Sequence, residues 1–149
     1  MMRKLLLITA VVFLFLTANA YAQEADIIAG KWLTEKKDSA VEIYKCADKY
    51  CGKIIWLSEP KNEDGTDKVD DKNPDESKKN QKIIGLNIVW DFIHKGGKKW
   101  GDGKIYDPEN GKTYSCKMKL EDDGKLNLRG YVGVSLFGRT TVWTRNSKK

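Results

Sequence analysis

Hydrophobic residues in this chain recur with a period of two and almost nowhere with a period of 3.6, which predicts half-buried strands rather than amphipathic helices. Ile84, Leu86, Ile88, Trp90 and Phe92 share one parity, while Gly85, Asn87 and Asp91 take the other. Tyr114, Cys116, Met118 and Leu120 alternate with Thr113, Ser115, Lys117 and Lys119; Leu126, Leu128, Gly130 and Val132 alternate with Asn127, Arg129 and Tyr131. Each run offers one face to a core and one to water. Between the runs, Gly96-Gly97, Asp107 to Gly111 and Asp122-Asp123-Gly124 supply the residues that tight hairpins need, and Gly101-Asp102-Gly103 reads as a bend or bulge. Eight strands result, over 29–34, 40–46, 51–57, 83–93, 98–107, 112–120, 125–132 and 138–145.

Eight meandering strands joined mostly by short turns predict an all-β protein, an eight-stranded antiparallel up-and-down barrel, because closure removes the unpaired edges that an open sheet presents. A two-sheet sandwich is the fallback. Helix is expected only as a turn or two at 24–28 and around 74–80, where Asn73 can cap and Pro74 can open the first turn. Residues 59–80 break the alternation. They hold eight acids, five lysines and a single aliphatic side chain, Val69, with no aromatic, so a long, exposed polar loop is predicted there.

The first residues change the picture of location. Met2-Arg3-Lys4 is a short basic start, Leu5 to Ala18 is apolar but for Thr9 and Thr17, and two small-x-small steps end at Ala20 and Ala22. This is the pattern of a secretory signal peptide over 1–22, too short for a stable membrane span. It leaves 23–149 as one domain, exported to the periplasm or secreted. The formal net charge is +6, of which Arg3 and Lys4 supply two. The remaining lysines are scattered along alternating strands instead of massed on one arm, which argues against a nucleic-acid partner.

Candidate chemistry is sparse. Cys46 and Cys51 lie between two strand-like runs, and an oxidising compartment would let them close a hairpin as a disulfide. The rival reading is a metal site, but the chain has one histidine and no Cys-x-x-Cys, so no metal and no cofactor is expected. Cys116 alternates with apolar neighbours and reads as a buried, inert thiol. Ser135 misses a nucleophile elbow by its last glycine and has no helix after it. His94 shares its parity with Trp90 and Phe92. In the acidic loop, aligning Gly65 with the sixth position of a calcium-binding loop places Pro60 first, where no side-chain oxygen is available. A protein that is not an enzyme is expected.

Gly30-Lys31-Trp32 near the start and Trp143-Thr144-Arg145 near the end carry more information together than apart. In an up-and-down barrel the first and last strands are neighbours, so the Arg145 guanidinium can lie over the Trp32 indole and close one end. This resembles the closing device of lipocalins. With Tyr50-Cys51-Gly52-Lys53, Asp71-Lys72-Asn73-Pro74-Asp75, Gly103-Lys104-Ile105-Tyr106-Asp107-Pro108, Gly111-Lys112-Thr113-Tyr114, Leu128-Arg129-Gly130-Tyr131 and Leu136-Phe137-Gly138-Arg139, the chain resembles the bacterial domain-of-unknown-function 2147 family. The resemblance implies an exported protein with a lipocalin-like barrel and no established activity.

The barrel interior is the candidate binding site. Its inward positions are read as Val41, Ile43, Trp56, Leu86, Ile88, Trp90, Tyr114, Met118 and Leu128, with Trp32 as the floor. A hollow barrel with such walls would bind or carry a small hydrophobic, lipid-like molecule. A filled one would make the same residues plain core, and the protein a structural or protein-interaction module of the cell envelope.

Overall fold

A computed structural model of the chain describes residues 21–147. Nearly all of the expected export segment lies outside the described residues. Eight strands, β1 (Gly30–Leu33), β2 (Ser39–Cys46), β3 (Lys49–Leu57), β4 (Asn87–His94), β5 (Lys99–Asp107), β6 (Lys112–Leu120), β7 (Leu126–Tyr131) and β8 (Arg139–Arg145), form a closed barrel in sequence order. Every neighbouring pair is antiparallel, and β1 meets β8 through Trp32 opposite Arg145 and Leu33 opposite Thr144. The alternating pattern therefore closes on itself as an all-β meander, with no sheet edge left over.

One end of the barrel is packed solid. Trp32, Val41, Ile43, Tyr50, Phe92, Trp100, Met118 and Leu126 are buried there, and the segment before β1 plugs the end as a short 3-10 turn, Asp26–Ile28. Two indoles find their partners in that plug: Trp32 Nε1 donates to Ile28 O at 2.9 Å and Trp100 Nε1 to Ala25 O at 3.1 Å. The Arg145 guanidinium sits 3.9 Å from the centre of the Trp32 ring and donates to the carbonyls of Ala29 and Ile27. Gly30, at φ +125°, makes room: a Cβ there would stand 2.8 Å from Arg145 Nη1. At the same end, Cys46 and Cys51 form a disulfide with Cα atoms 5.8 Å apart, pinning the β2–β3 hairpin.

Tyr50 ties the plug to the wall by donating to Asp26 Oδ1 at 2.5 Å. Burial, then this bond, raises the phenol above its ordinary range, while the bond and Lys45 lower the Asp26 carboxyl. Tyr106, donating to Asp70, is raised for the same two reasons. A raised folded-state value contributes stability that is complete below the unfolded phenol pKa, about 10, and is lost as pH climbs through the folded value. We therefore expect a late wave of tyrosinate absorbance, rising together with loss of near-ultraviolet circular dichroism. A single wave at the ordinary phenol pKa, with the fold intact, would contradict both hydrogen bonds.

Two sequence expectations change. The fourth strand starts at Asn87, not Ile83, because Ile83–Leu86 is a turn built on Gly85 at φ +94°, closed by Leu86 N donating to Ile83 O; Ile84 is exposed as a result. The loop at 59–80 is polar but not merely exposed. It carries the bridges Lys61 to Asp67 and Val69 to Lys82, and Asp70, wholly shielded from solvent, accepts from Tyr106 Oη and from Asn73 Nδ2, both at 2.7 Å. Lys72 O lies so close to Gly111 that a Cβ there would clash at 2.0 Å. The loop is thus docked on the β5–β6 turn, where Lys72 Nζ also donates to Glu109 O at 2.7 Å.

Candidate functional site

The end opposite the plug is hollow. A cup of about 860 Å³ opens between the β1–β2 and β5–β6 connections, the long β3–β4 loop and the facing ends of β7 and β8. Its wall is apolar: Ile54, Leu57, Ile88, Ile105, Leu128 and Trp143 line it, with Tyr114, Cys116, Gly130 and Thr141 between them. Ile105 faces Tyr114 across the β5–β6 ladder, and Cys116 faces Gly130 across β6–β7, so the wall follows from strand parity. Burial pushes the Cys116 thiol up to about 12, which keeps it protonated and unreactive at neutral pH.

The rim is charged and internally paired. Lys36 on the β1–β2 turn reaches Glu109 on the β5–β6 turn at 2.9 Å, linking two separate connections at the mouth. Lys68 approaches Glu59 at 3.7 Å within the long loop. Asp38 accepts from the hydroxyls of Thr34 and Ser39, and Asp107 from the amide of Glu109 and the side chain of Asn110. Arg139, also on the rim, has no carboxylate within ion-pair distance among the described residues.

The residues singled out from sequence separate into three groups. Ile88, Tyr114 and Leu128 line the cup. Val41, Ile43 and Met118 are buried in the packed half of the barrel beside the Trp32 floor. Trp56, Leu86 and Trp90 are corrected. Trp56 is 44% exposed on the outer side of β3, because Val41 pairs with Ile54 but Ala40 with Trp56, which leaves Ile55 as an extra residue in the alternation. Leu86 and Trp90 line an open groove of about 770 Å³ outside the wall, between β4 and the long loop. Asp91, at φ +64°, interrupts β4 so that Val89 and Phe92 turn to the core and Trp90 turns out. Ile54, Leu57, Thr141, Trp143 and Arg139 were not singled out as cup residues. For Trp143 a signal existed, since it shares inward parity with Thr141 and Arg139 on β8.

No group of three or more His, Cys, Asp or Glu converges on a possible metal position among the described residues. His94 Nε2 pairs with Gly97 O at 2.8 Å in the β4–β5 turn, Ser135 Oγ accepts from Lys117 Nζ at 3.2 Å, and the Cys116 thiol lies against Lys117 O at 3.7 Å. The family model described as an uncharacterized protein conserved in bacteria, DUF2147, matches residues 30–145, from the first strand to the last. The chain belongs to this family. Within DUF2147 terms, the matched span starts at Gly30 and ends at Arg145, the two residues that meet where the barrel closes. Among solved structures, this DUF2147 chain is similar to protein HP1028 from the human pathogen Helicobacter pylori, which belongs to the lipocalin family. The two are 26% identical, superpose with a TM-score of 0.70, and align over 81% of this chain and 84% of that one. The barrel is accordingly lipocalin-like. No curated protein matches the chain. No helix among the described residues is long and apolar enough to cross a membrane.

Proposed function

We propose that this DUF2147 protein is a non-enzymatic binder or carrier that takes one small apolar or amphipathic molecule into the cup, outside the cytoplasm. The observation that carries the reading is the cup itself: half the barrel is packed, yet the other half leaves about 860 Å³ walled by aliphatic and aromatic side chains. That volume falls within the ~300–1,000 Å³ typical of small-molecule sites. Binding would draw chiefly on apolar burial, near 25 cal/mol per Å² before ordering costs. The charged rim would leave a polar head in water at the mouth. Membership of HP1028 in the lipocalin family supports the same reading. The Cys46–Cys51 disulfide supports an oxidising compartment and agrees with the signal-like start of the sequence.

Gly130 provides the test. It lines the cup, and a Cβ added there meets Tyr114 and Ile105 at ordinary contact distances of 3.6 and 3.8 Å. Gly130→Phe should therefore fill the cup and leave the strand in place. In titrations with a fluorescent fatty-acid probe, the wild type should show a saturable site, and Gly130→Phe should weaken it by about a hundredfold or more, since loss of a buried apolar contact area of this kind is worth about 3 kcal/mol. Flat titrations of the wild type with every acyl probe would reject the proposal.

A further inference from the structure

The connection from β7 to β8 breaks the polar character of the rim. Val132, Val134, Leu136 and Phe137 are 76%, 58%, 78% and 82% exposed, four large apolar side chains within six residues. Exposed apolar surface that is contiguous, and not scattered, marks a contact site. The loop is also held in shape. Arg129 donates from Nε to Ser135 O at 2.6 Å and from Nη2 to Leu136 O at 3.0 Å, and Lys117 Nζ reaches Ser135 Oγ at 3.2 Å. Gly138 lets the returning chain lie against β7, since a Cβ there would stand 2.5 Å from Gly130 O. With the backbone so fixed, the apolar side chains project outward.

On the β5–β8 wall beside this loop, four cations stand without a carboxylate partner, although Glu35 accepts from the amide of Val142 farther along β8. Lys104, Ser115 and Tyr131 form one cross-strand row, and Lys117, Arg129 and Thr140 form the next. Lys104 donates to Ser115 Oγ, Lys117 and Arg129 brace the loop, and Arg139 stands at its base. Among the described residues none of these four cations has a carboxylate partner, whereas lysines elsewhere on the barrel pair repeatedly, as in Lys49 with Asp91 and Lys98 with Asp122.

We propose that the 132–137 loop docks the barrel, by its β5–β8 side, on an anionic lipid surface, with its apolar side chains in the headgroup layer and Lys104, Lys117, Arg129 and Arg139 over the phosphates. A protruding apolar loop backed by unpaired cations suits a laterally fluid, negatively charged surface. The loop adjoins the mouth of the cup through Arg139 and Thr141, which line it, so docking places the opening beside the source of apolar ligand. This extends the ligand-binding reading but stands on different residues.

Flotation of the purified full chain with vesicles tests it. The wild type should float with phosphatidylcholine vesicles containing phosphatidylglycerol and not with phosphatidylcholine alone, and added salt should weaken the association. The double substitution Leu136→Asp, Phe137→Asp, at exposed positions that leave the core untouched, should reduce partitioning by at least about tenfold while acyl-probe uptake persists. Equal flotation with both vesicle types, no flotation of the wild type, or flotation unaffected by the double substitution would overturn the proposal. A vesicle-free dimer that the double substitution dissolves would also overturn it, assigning the loop to a second copy. Flotation without acyl-probe uptake would uphold docking and reject the cup, and the reverse result would do the opposite.

Discussion

Replacing Trp32 with alanine is expected to lower folding stability by ~3–5 kcal/mol, the cost of truncating a fully buried indole. In a domain of this size that corresponds to a fall in Tm on the order of 10–20 °C. Three losses act together at this one position. The side chain is buried at the floor of the barrel; its Nε1 satisfies the carbonyl of Ile28 in the plug; and its ring face supports the Arg145 guanidinium. The β1–β8 ladder at this seam is short, with only two aligned pairs given by Trp32 and Leu33, so side-chain contacts carry much of the closure. Trp32→Phe, which keeps an aromatic face but drops the donor, should lose less. Calorimetry of the two variants checks the ordering; an alanine variant that melts within a few degrees of the wild type would show that the seam closes without the indole.

Gly103→Ala is expected to cost about 3 kcal/mol, at the upper end for an overpacked core, although it adds one methyl group. An ideal Cβ at Gly103 would stand 2.3 to 2.4 Å from three carbons of the Phe92 ring. Phe92 is itself buried completely, so the ring cannot swing into solvent to make room. The close approach follows from irregularity on both strands: Asp91 and Asp102 have left-handed backbone conformations, and the β5–β6 register shifts between Trp100 and Gly103. Aspartate tolerates that conformation better than most residues. Gly130→Ala is the matched control, since its added Cβ meets only ordinary contacts, and it should be near neutral. Chemical denaturation of the pair gives the comparison directly, and equal midpoints would refute the steric argument.

The bulges explain why the strands were easier to find than the faces they present. Period-two alternation places six of the eight strands within a residue of their observed limits, the bulged β5 among them; only β3, which starts at Lys49, and β4, which starts at Asn87, depart further. It assigned Trp56 and Trp90 to the interior because an inserted residue reverses the assignments beyond it, whereas Ile54, which precedes the insertion on β3 and shares the parity of Trp56, was legible as an inward residue. Gly101-Asp102-Gly103 announced a bulge through its turn-prone composition, whereas Trp90-Asp91-Phe92 did not. In the acidic loop, charge content correctly suggested solvent for most residues. It concealed Asp70, whose burial depends on Tyr106 and Asn73 being brought to both carboxylate oxygens.

What the sequence alone determined was whatever depends on neighbours a few residues apart. That covers the all-β class, the turns, the pairing of Cys46 with Cys51 across a short hairpin, and the meeting of Trp32 with Arg145 that any closed meander of eight strands imposes on its ends. Only the tertiary structure decided that the interior is packed around Trp32 and hollow around Trp143, that residues 59–80 dock on the β5–β6 turn, and that Val132 to Phe137 stay outside. Enclosed volume is set by side chains from many strands at once, and a local pattern carries no measure of it.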